Sequence, residues 1–315
     1  MSYSRDPSIP GLKHLPSIPY KPHPTRLQTL DIWLPDHHPK STPTTKPTWI
    51  IYVHGGAWRD PTQDSLCAIP TIRSLVENHA NLLDEGHIEG IASLNYRLSP
   101  YPSHSTDPSA PDDQDRNVCH PAHVQDVYAA LEFLIKEYKI ERWVGVGHSC
   151  GATLLLQLPL VSGLSSVVQR TLEGLILLAG IYDVPAFLGN HSVPGCPENI
   201  AAIYRQIVEG AFGLEAREYG KVSPVGMGKK DLWGRLVVLG YSVEDGLVES
   251  QQRETMLGKY LQEGWARSED TGEGAKVAEV KNITMGHDEV WEDGGQVASL
   301  IAEVTGRLRA KREAL

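Results

Sequence analysis

The sequence predicts an α/β fold with a mostly parallel central sheet flanked by helices and a small cap insertion. Three observations carry this expectation. Short apolar runs suited to buried strands alternate with segments of helical periodicity along most of the chain. A Gly-x-Ser-x-Gly turn lies between one such run and the next helical segment. One stretch, about 185–233, breaks the rhythm between two core strands, and long insertions in compact domains are usually functional.

The elements follow in order. Residues 1–24, rich in Pro and His, read as an N-terminal extension, and 25–315 read as a single domain. The alternation from Leu27 to Leu34 predicts an early strand, and Trp49–Val53 a buried one. Residues 65–83 read as a helix with Asp64 or Ser65 as N-cap. Ile91–Tyr96 is the next strand, and the Pro-, Ser- and Asp-dense stretch 99–120 is a loop. Pro121 opens a helix at its favoured first position, with Val124, Val127, Leu131, Leu134, Ile135 and Tyr138 as its apolar stripe. Strands are expected at 142–146, Leu175–Leu178, Leu236–Leu239 and Val277–Val280. An amphipathic helix over about 289–311 closes the chain.

Composition narrows the function. The chain has 315 residues, is 41% hydrophobic and 22% charged, and carries a net charge of −10 with both signs dispersed. That balance disfavours nucleic acid and anionic membrane as partners. No apolar run approaches the ~20 residues that span a bilayer. The polar N-terminus shows no secretory leader, so a cytoplasmic location is expected. Cys67, Cys119, Cys150 and Cys196 match no zinc or redox spacing and are expected to be free thiols.

The chemistry begins at Gly147-His148-Ser149-Cys150-Gly151, which follows the strand at 142–146 and precedes a helix. This context makes the pentapeptide a nucleophile elbow of the α/β-hydrolase fold, with Ser149 as nucleophile. Such a serine needs a base and an acid to orient it, in the chain order Ser, Asp or Glu, His. His287 is the one histidine downstream of Asp245, and it sits in a small-residue turn after the last strand. Asp245 follows the strand at Leu236–Leu239 and is assigned as the acid. Asp183 is the runner-up, otherwise read as a helix cap. His54-Gly55-Gly56-Ala57-Trp58 follows the strand ending at Val53. N–H groups of Gly56 and Ala57, with Gly55 as a further candidate, join that of Cys150 in an oxyanion hole. Trp58 is assigned to the substrate pocket. His54 and His148 are read as structural, the Cys150 thiol as a bystander, and Asn95-Tyr96-Arg97-Leu98-Ser99-Pro100 as a brace for the hole.

These motifs together resemble the fungal kynurenine formamidases (arylformamidases) of the α/β-hydrolase superfamily. The resemblance rests on His54-Gly-Gly-Ala-Trp58 with Arg59-Asp60-Pro61, Gly147-His-Ser-Cys-Gly151, Ala179-Gly-Ile-Tyr-Asp183, Glu244-Asp-Gly-Leu-Val248 and Gly286-His-Asp288, in that order over about 47–300. Hormone-sensitive-lipase-like esterases usually carry a third glycine where Ala57 stands and Asp where His148 stands. The resemblance implies hydrolysis of the small molecule N-formyl-L-kynurenine to L-kynurenine and formate in tryptophan catabolism, with no cofactor and no metal. A homodimer is left open. The residues alone support ester or amide hydrolysis, so a general carboxylesterase is the rival. A non-catalytic hydrolase-fold binding protein is the rival of another class.

Overall fold

A computed structural model describes residues 5–40, 45–267 and 275–313; Met1–Ser4 of the predicted extension lie outside them. Among the described residues eight strands form one sheet: β1 Leu12–Pro19, β2 Thr29–Pro35, β3 Thr48–Val53, β4 Ile88–Leu94, β5 Trp143–His148, β6 Leu172–Leu178, β7 Leu236–Ser242 and β8 Val277–Ile283. Their order is β1-β2-β4-β3-β5-β6-β7-β8. β2 runs antiparallel to both neighbours and the remaining pairs are parallel. The expected mostly parallel sheet is therefore present.

Eleven helices are described: α1 Ile69–Asn78, α2 Asn81–Asp84, α3 Ala122–Glu137, α4 Cys150–Gln157, α5 Ser166–Thr171, α6 Val184–Asn190, α7 Glu198–Phe212, α8 Ala216–Val222, α9 Ser250–Gln262, α10 Glu289–Asp293 and α11 Gly295–Glu313. The sheet splits the core in two. Trp49, Ile51 and Val53 of β3 face the layer built on α3, α4 and α9, whereas Ile50 and Tyr52 face α1 and α11. β5, β6 and β7 alternate likewise and are buried on both faces, which is why they read as unbroken apolar runs.

The extension needs correcting. A third of it is β1, paired with β2 along the edge of the sheet. An edge strand carries polar residues and proline, and Leu12–Pro19 holds Lys13, His14, Pro16 and Pro19 without an apolar run. Its pattern is therefore that of a loop. Other differences are local. The predicted helix at 65–83 is a 3-10 turn at Ser65–Ala68, then α1 and α2, with Asp64 as the cap, accepting from the Leu66 N–H at 2.9 Å. Pro121 sits one place earlier than expected, at the N-cap of α3. The closing helix breaks at Gly294, whose φ of +76° puts it in the left-handed region; a Cβ there would lie 2.3 Å from the Thr71 nitrogen of α1.

The segment at 185–233 folds into α6, α7 and α8 with two short 3-10 turns, inserted between β6 and β7. Asp183 caps α6 by accepting from the Ala186 N–H at 3.0 Å, which is the structural role held open for it. Among the described residues no helix is long and apolar enough to cross a membrane.

Candidate active site

The site forms at the C-terminal ends of the central strands, where α/β sheets bind ligands. β5 runs into Ser149, whose backbone is forced to φ 52° and ψ −124° before α4 begins at Cys150. Such strain persists only where the surroundings enforce it. Here Gly151 lies against the end of β3: a Cβ would sit 2.2 Å from the Val53 carbonyl oxygen and 2.5 Å from that of His54. Gly147 is equally confined by Ala152. The two flanking glycines of the motif thus have a steric cause.

His287 follows β8 in a turn whose Met285 has φ 80°. Its Nδ1–H donates to Asp245 Oδ2 at 2.8 Å, and both side chains are almost fully buried. Asp245 Oδ1 accepts from the N–H groups of Leu247 and Val248, each at 2.9 Å. Burial pushes the Asp245 carboxyl up, but the His287 bond and charge and the two backbone donors outweigh it and hold the pKa below the usual value. His148 supports the same turn, its Nε2 donating to the His287 carbonyl at 2.9 Å, with the two rings 4.7 Å apart. Burial first, then His287, lowers its pKa to about 3, so it stays neutral.

The His54–Trp58 segment wraps over the elbow. His54 stacks on Tyr96 with ring centroids 4.4 Å apart and its Nδ1 reaches the Gly55 carbonyl at 2.9 Å. The Tyr96 hydroxyl donates to the carbonyls of His54 and Gly55, both at 3.0 Å, and so braces this segment from the neighbouring strand. Gly56, Ala57 and Trp58 all have positive φ, at 94°, 49° and 60°. Gly56 and Ala57 face the cavity; Gly55 is buried against the elbow, where a Cβ would meet His148 Nδ1 at 2.7 Å. Cys150 opens α4, so its N–H has no acceptor within that helix. Its thiol turns inward to accept from the Trp58 N–H at 3.2 Å, and burial pushes its pKa up to about 11.

Ser149, His287, Gly56 and Ala57 line one cavity of about 430 Å³, within the range of small-molecule sites. Its apolar wall comes from the cap: Phe187, Ile200, Ile203, Tyr204 and Ile207. The Tyr204 hydroxyl donates to the Leu247 carbonyl at 3.0 Å, joining the cap to the turn that holds Asp245. Burial, then the Asp245 charge, raises Tyr204 to about 12, so the phenol keeps its proton.

Trp58 does not line this cavity. It is fully buried and packs edge-on to Phe212 at 5.0 Å. The run of positive φ through Ala57 and Trp58 turns the indole inward and presents Arg59 instead. Sequence reasoning also missed Tyr101, which the 99–120 loop brings to the cavity. His148, His287 and Asp288 have ligating atoms within 4.8 Å of one another. Each already has a protein partner, Asp288 accepting from Gln63 Nε2 at 3.2 Å and Trp291 Nε1 at 3.0 Å.

A kynurenine formamidase-like hydrolase from Fusarium equiseti is 33% identical over 306 residues, covering 92% of this chain and 93% of its own. The chain belongs to the kynurenine formamidase family. A kynurenine formamidase from Meyerozyma guilliermondii is 34% identical over 215 residues, covering 66% of this chain and 69% of its own. No family model matches. Among solved structures, esterase B from Lactobacillus rhamnosis superposes with a TM-score of 0.64 at 15% identity, covering 98% of this chain and 91% of its own. An esterase from Pyrobaculum calidifontis also gives 0.64 at 16%, covering 96% and 88%. This kynurenine formamidase family member therefore has the α/β-hydrolase fold and is a hydrolase.

Proposed function

We propose that the chain hydrolyses N-formyl-L-kynurenine to L-kynurenine and formate through a formyl-serine intermediate, in tryptophan catabolism towards NAD. The observation that carries the reading is the joining of the Ser149 elbow with the His287–Asp245 pair on one small cavity. The names of the relatives supply the substrate.

The chemistry follows from the residues. His287 takes the Ser149 hydroxyl proton as the oxygen attacks the formyl carbon. The resulting oxyanion is met by the N–H groups of Gly56, Ala57 and Cys150, each worth ~3–4 kcal/mol of barrier. Asp245 holds the imidazole in the tautomer that accepts at Nε2 and stabilises the imidazolium. The C–N bond breaks as His287 returns the proton to the arylamine nitrogen. Water then attacks formyl-Ser149, His287 taking its proton, and formate leaves as the serine oxygen is reprotonated.

The test is formate release from N-formyl-L-kynurenine beside turnover of a p-nitrophenyl ester, with Ser149→Ala as blank. Formamide turnover that strongly exceeds ester turnover and vanishes in a folded Ser149→Ala protein is expected. Fast ester cleavage with negligible formate release would move the chain to the carboxylesterases. Activity retained in Ser149→Ala would overturn the mechanism.

A further inference from the structure

The cavity contains a cation that the proposed chemistry does not use. Arg59 lines it yet is only 5% exposed. A guanidinium so deeply withdrawn from water ordinarily sits against a carboxylate. Its close neighbour is instead Tyr101, whose ring lies 4.0 Å below the guanidinium carbon. That contact covers one face of the plane, and beyond the Tyr101 hydroxyl no carboxylate among the described residues takes the in-plane N–H groups. Asp60 acts on Arg59 only through space; its Oδ1 accepts from Thr62 N and Thr62 Oγ1 at 2.9 and 2.7 Å. Asp288, the other acid on this cavity, is engaged by Gln63 and Trp291. Burial pulls the Arg59 pKa below the usual arginine value, against the smaller raising effects of Tyr101, by its charge and a side-chain hydrogen bond, and of the Asp60 charge.

We infer that Arg59 is the carboxylate-binding subsite of this cavity, the residue by which it selects a leaving group that bears a carboxylate. The planar fork matches a carboxylate through two parallel N–H···O bonds. Stacking on Tyr101 fixes the plane of the fork before the substrate arrives, so little ordering remains to be done on binding. This deepens the formamidase reading and rests on it for the acyl group, but the charge preference can be read without it.

The experiment compares N-formyl-L-kynurenine with its C-terminal primary amide, by formate release. The native enzyme is expected to favour the acid by at least about tenfold in kcat/KM, the scale of a charge-assisted contact. Arg59→Gln is expected to reduce that ratio to near one, mainly through KM for the acid, and Arg59→Lys to restore part of it. Equal kcat/KM for acid and amide in the native enzyme overturns the subsite, and this arm needs no variant. A ratio unchanged in Arg59→Gln overturns it too. Should neither compound release formate, the formamidase reading fails. The same comparison on 3-(2-acetoxyphenyl)propanoate and 2-propylphenyl acetate then still reads Arg59, with equal rates on that pair overturning the subsite.

Discussion

Replacing Asp245 with asparagine tests the proposed triad with little disturbance to its surroundings. The carboxylate now divides its work: Oδ2 takes the His287 Nδ1–H at 2.8 Å, and Oδ1 takes two backbone N–H groups at 2.9 Å. Asparagine has a single acceptor oxygen. The two backbone donors hold that oxygen, because turning the amide over would leave both unpaired at about 1–3 kcal/mol each. The NH₂ group then faces Nδ1, which must become an acceptor, and the imidazole proton moves to Nε2. In that tautomer His287 cannot take the Ser149 proton. The corresponding exchange in the serine-protease triad lowers kcat about 10⁴-fold, and a loss of 10³–10⁴ here corresponds to about 4–5.5 kcal/mol of barrier. Both turn hydrogen bonds survive, so the melting temperature should move by only a few degrees. The assay is kcat on the preferred substrate beside thermal unfolding of the same preparation. A folded Asp245→Asn enzyme retaining more than about a tenth of native kcat would refute the tautomer argument.

Two further outcomes concern the scaffold. Gly151→Ala would place a methyl group 2.2 Å from the Val53 carbonyl oxygen, a backbone atom that cannot give way, so a loss above about 4 kcal/mol is expected. Native-like urea unfolding of that variant would contradict it. Asp126 is fully buried, bound by Arg97 Nε at 2.7 Å and Lys21 Nζ at 3.0 Å. Burial raises its pKa, but Arg97 and then Lys21 outweigh that and lower it overall. Its stabilisation is therefore complete above the unfolded value of about 3.9 and fades as pH falls through the lower folded value. Asp126→Asn should cost about 3–5 kcal/mol near neutral pH, with a gap to native that narrows in acid. A gap that widens in acid would reverse the assignment.

The parts legible in the sequence share one property: local chain geometry determines them. The elbow needs glycines at 147 and 151 because backbone atoms crowd both positions, and β3, β5, β6 and β7 read as apolar runs because both faces are covered. Asp245 and His287 could be placed because each follows a core strand. What stayed hidden depends on direction or distance. Trp58 looks like a pocket residue until positive φ at Ala57 and Trp58 exchanges it with Arg59. Tyr101 meets Arg59 across 42 positions of chain, from a loop that carries no periodicity. β1 is an edge strand, made by its backbone pairing rather than by apolar side chains.

The hydrogen bond from Tyr204 to the Leu247 carbonyl has a consequence for how such enzymes diversify. Inserted caps are usually regarded as exchangeable modules over a conserved chemical base. Here the module touches the same five-residue turn whose N–H groups seat Asp245. Gln252 adds a second fastening, its Oε1 accepting from the N–H groups of Tyr182 and Asp183 where the chain leaves the sheet for the cap. Swapping in a foreign cap would thus loosen the acid as well as reshape the pocket. A chimera would have to bring its own donor to Leu247, and lineages that altered the cap would have had to change that turn with it.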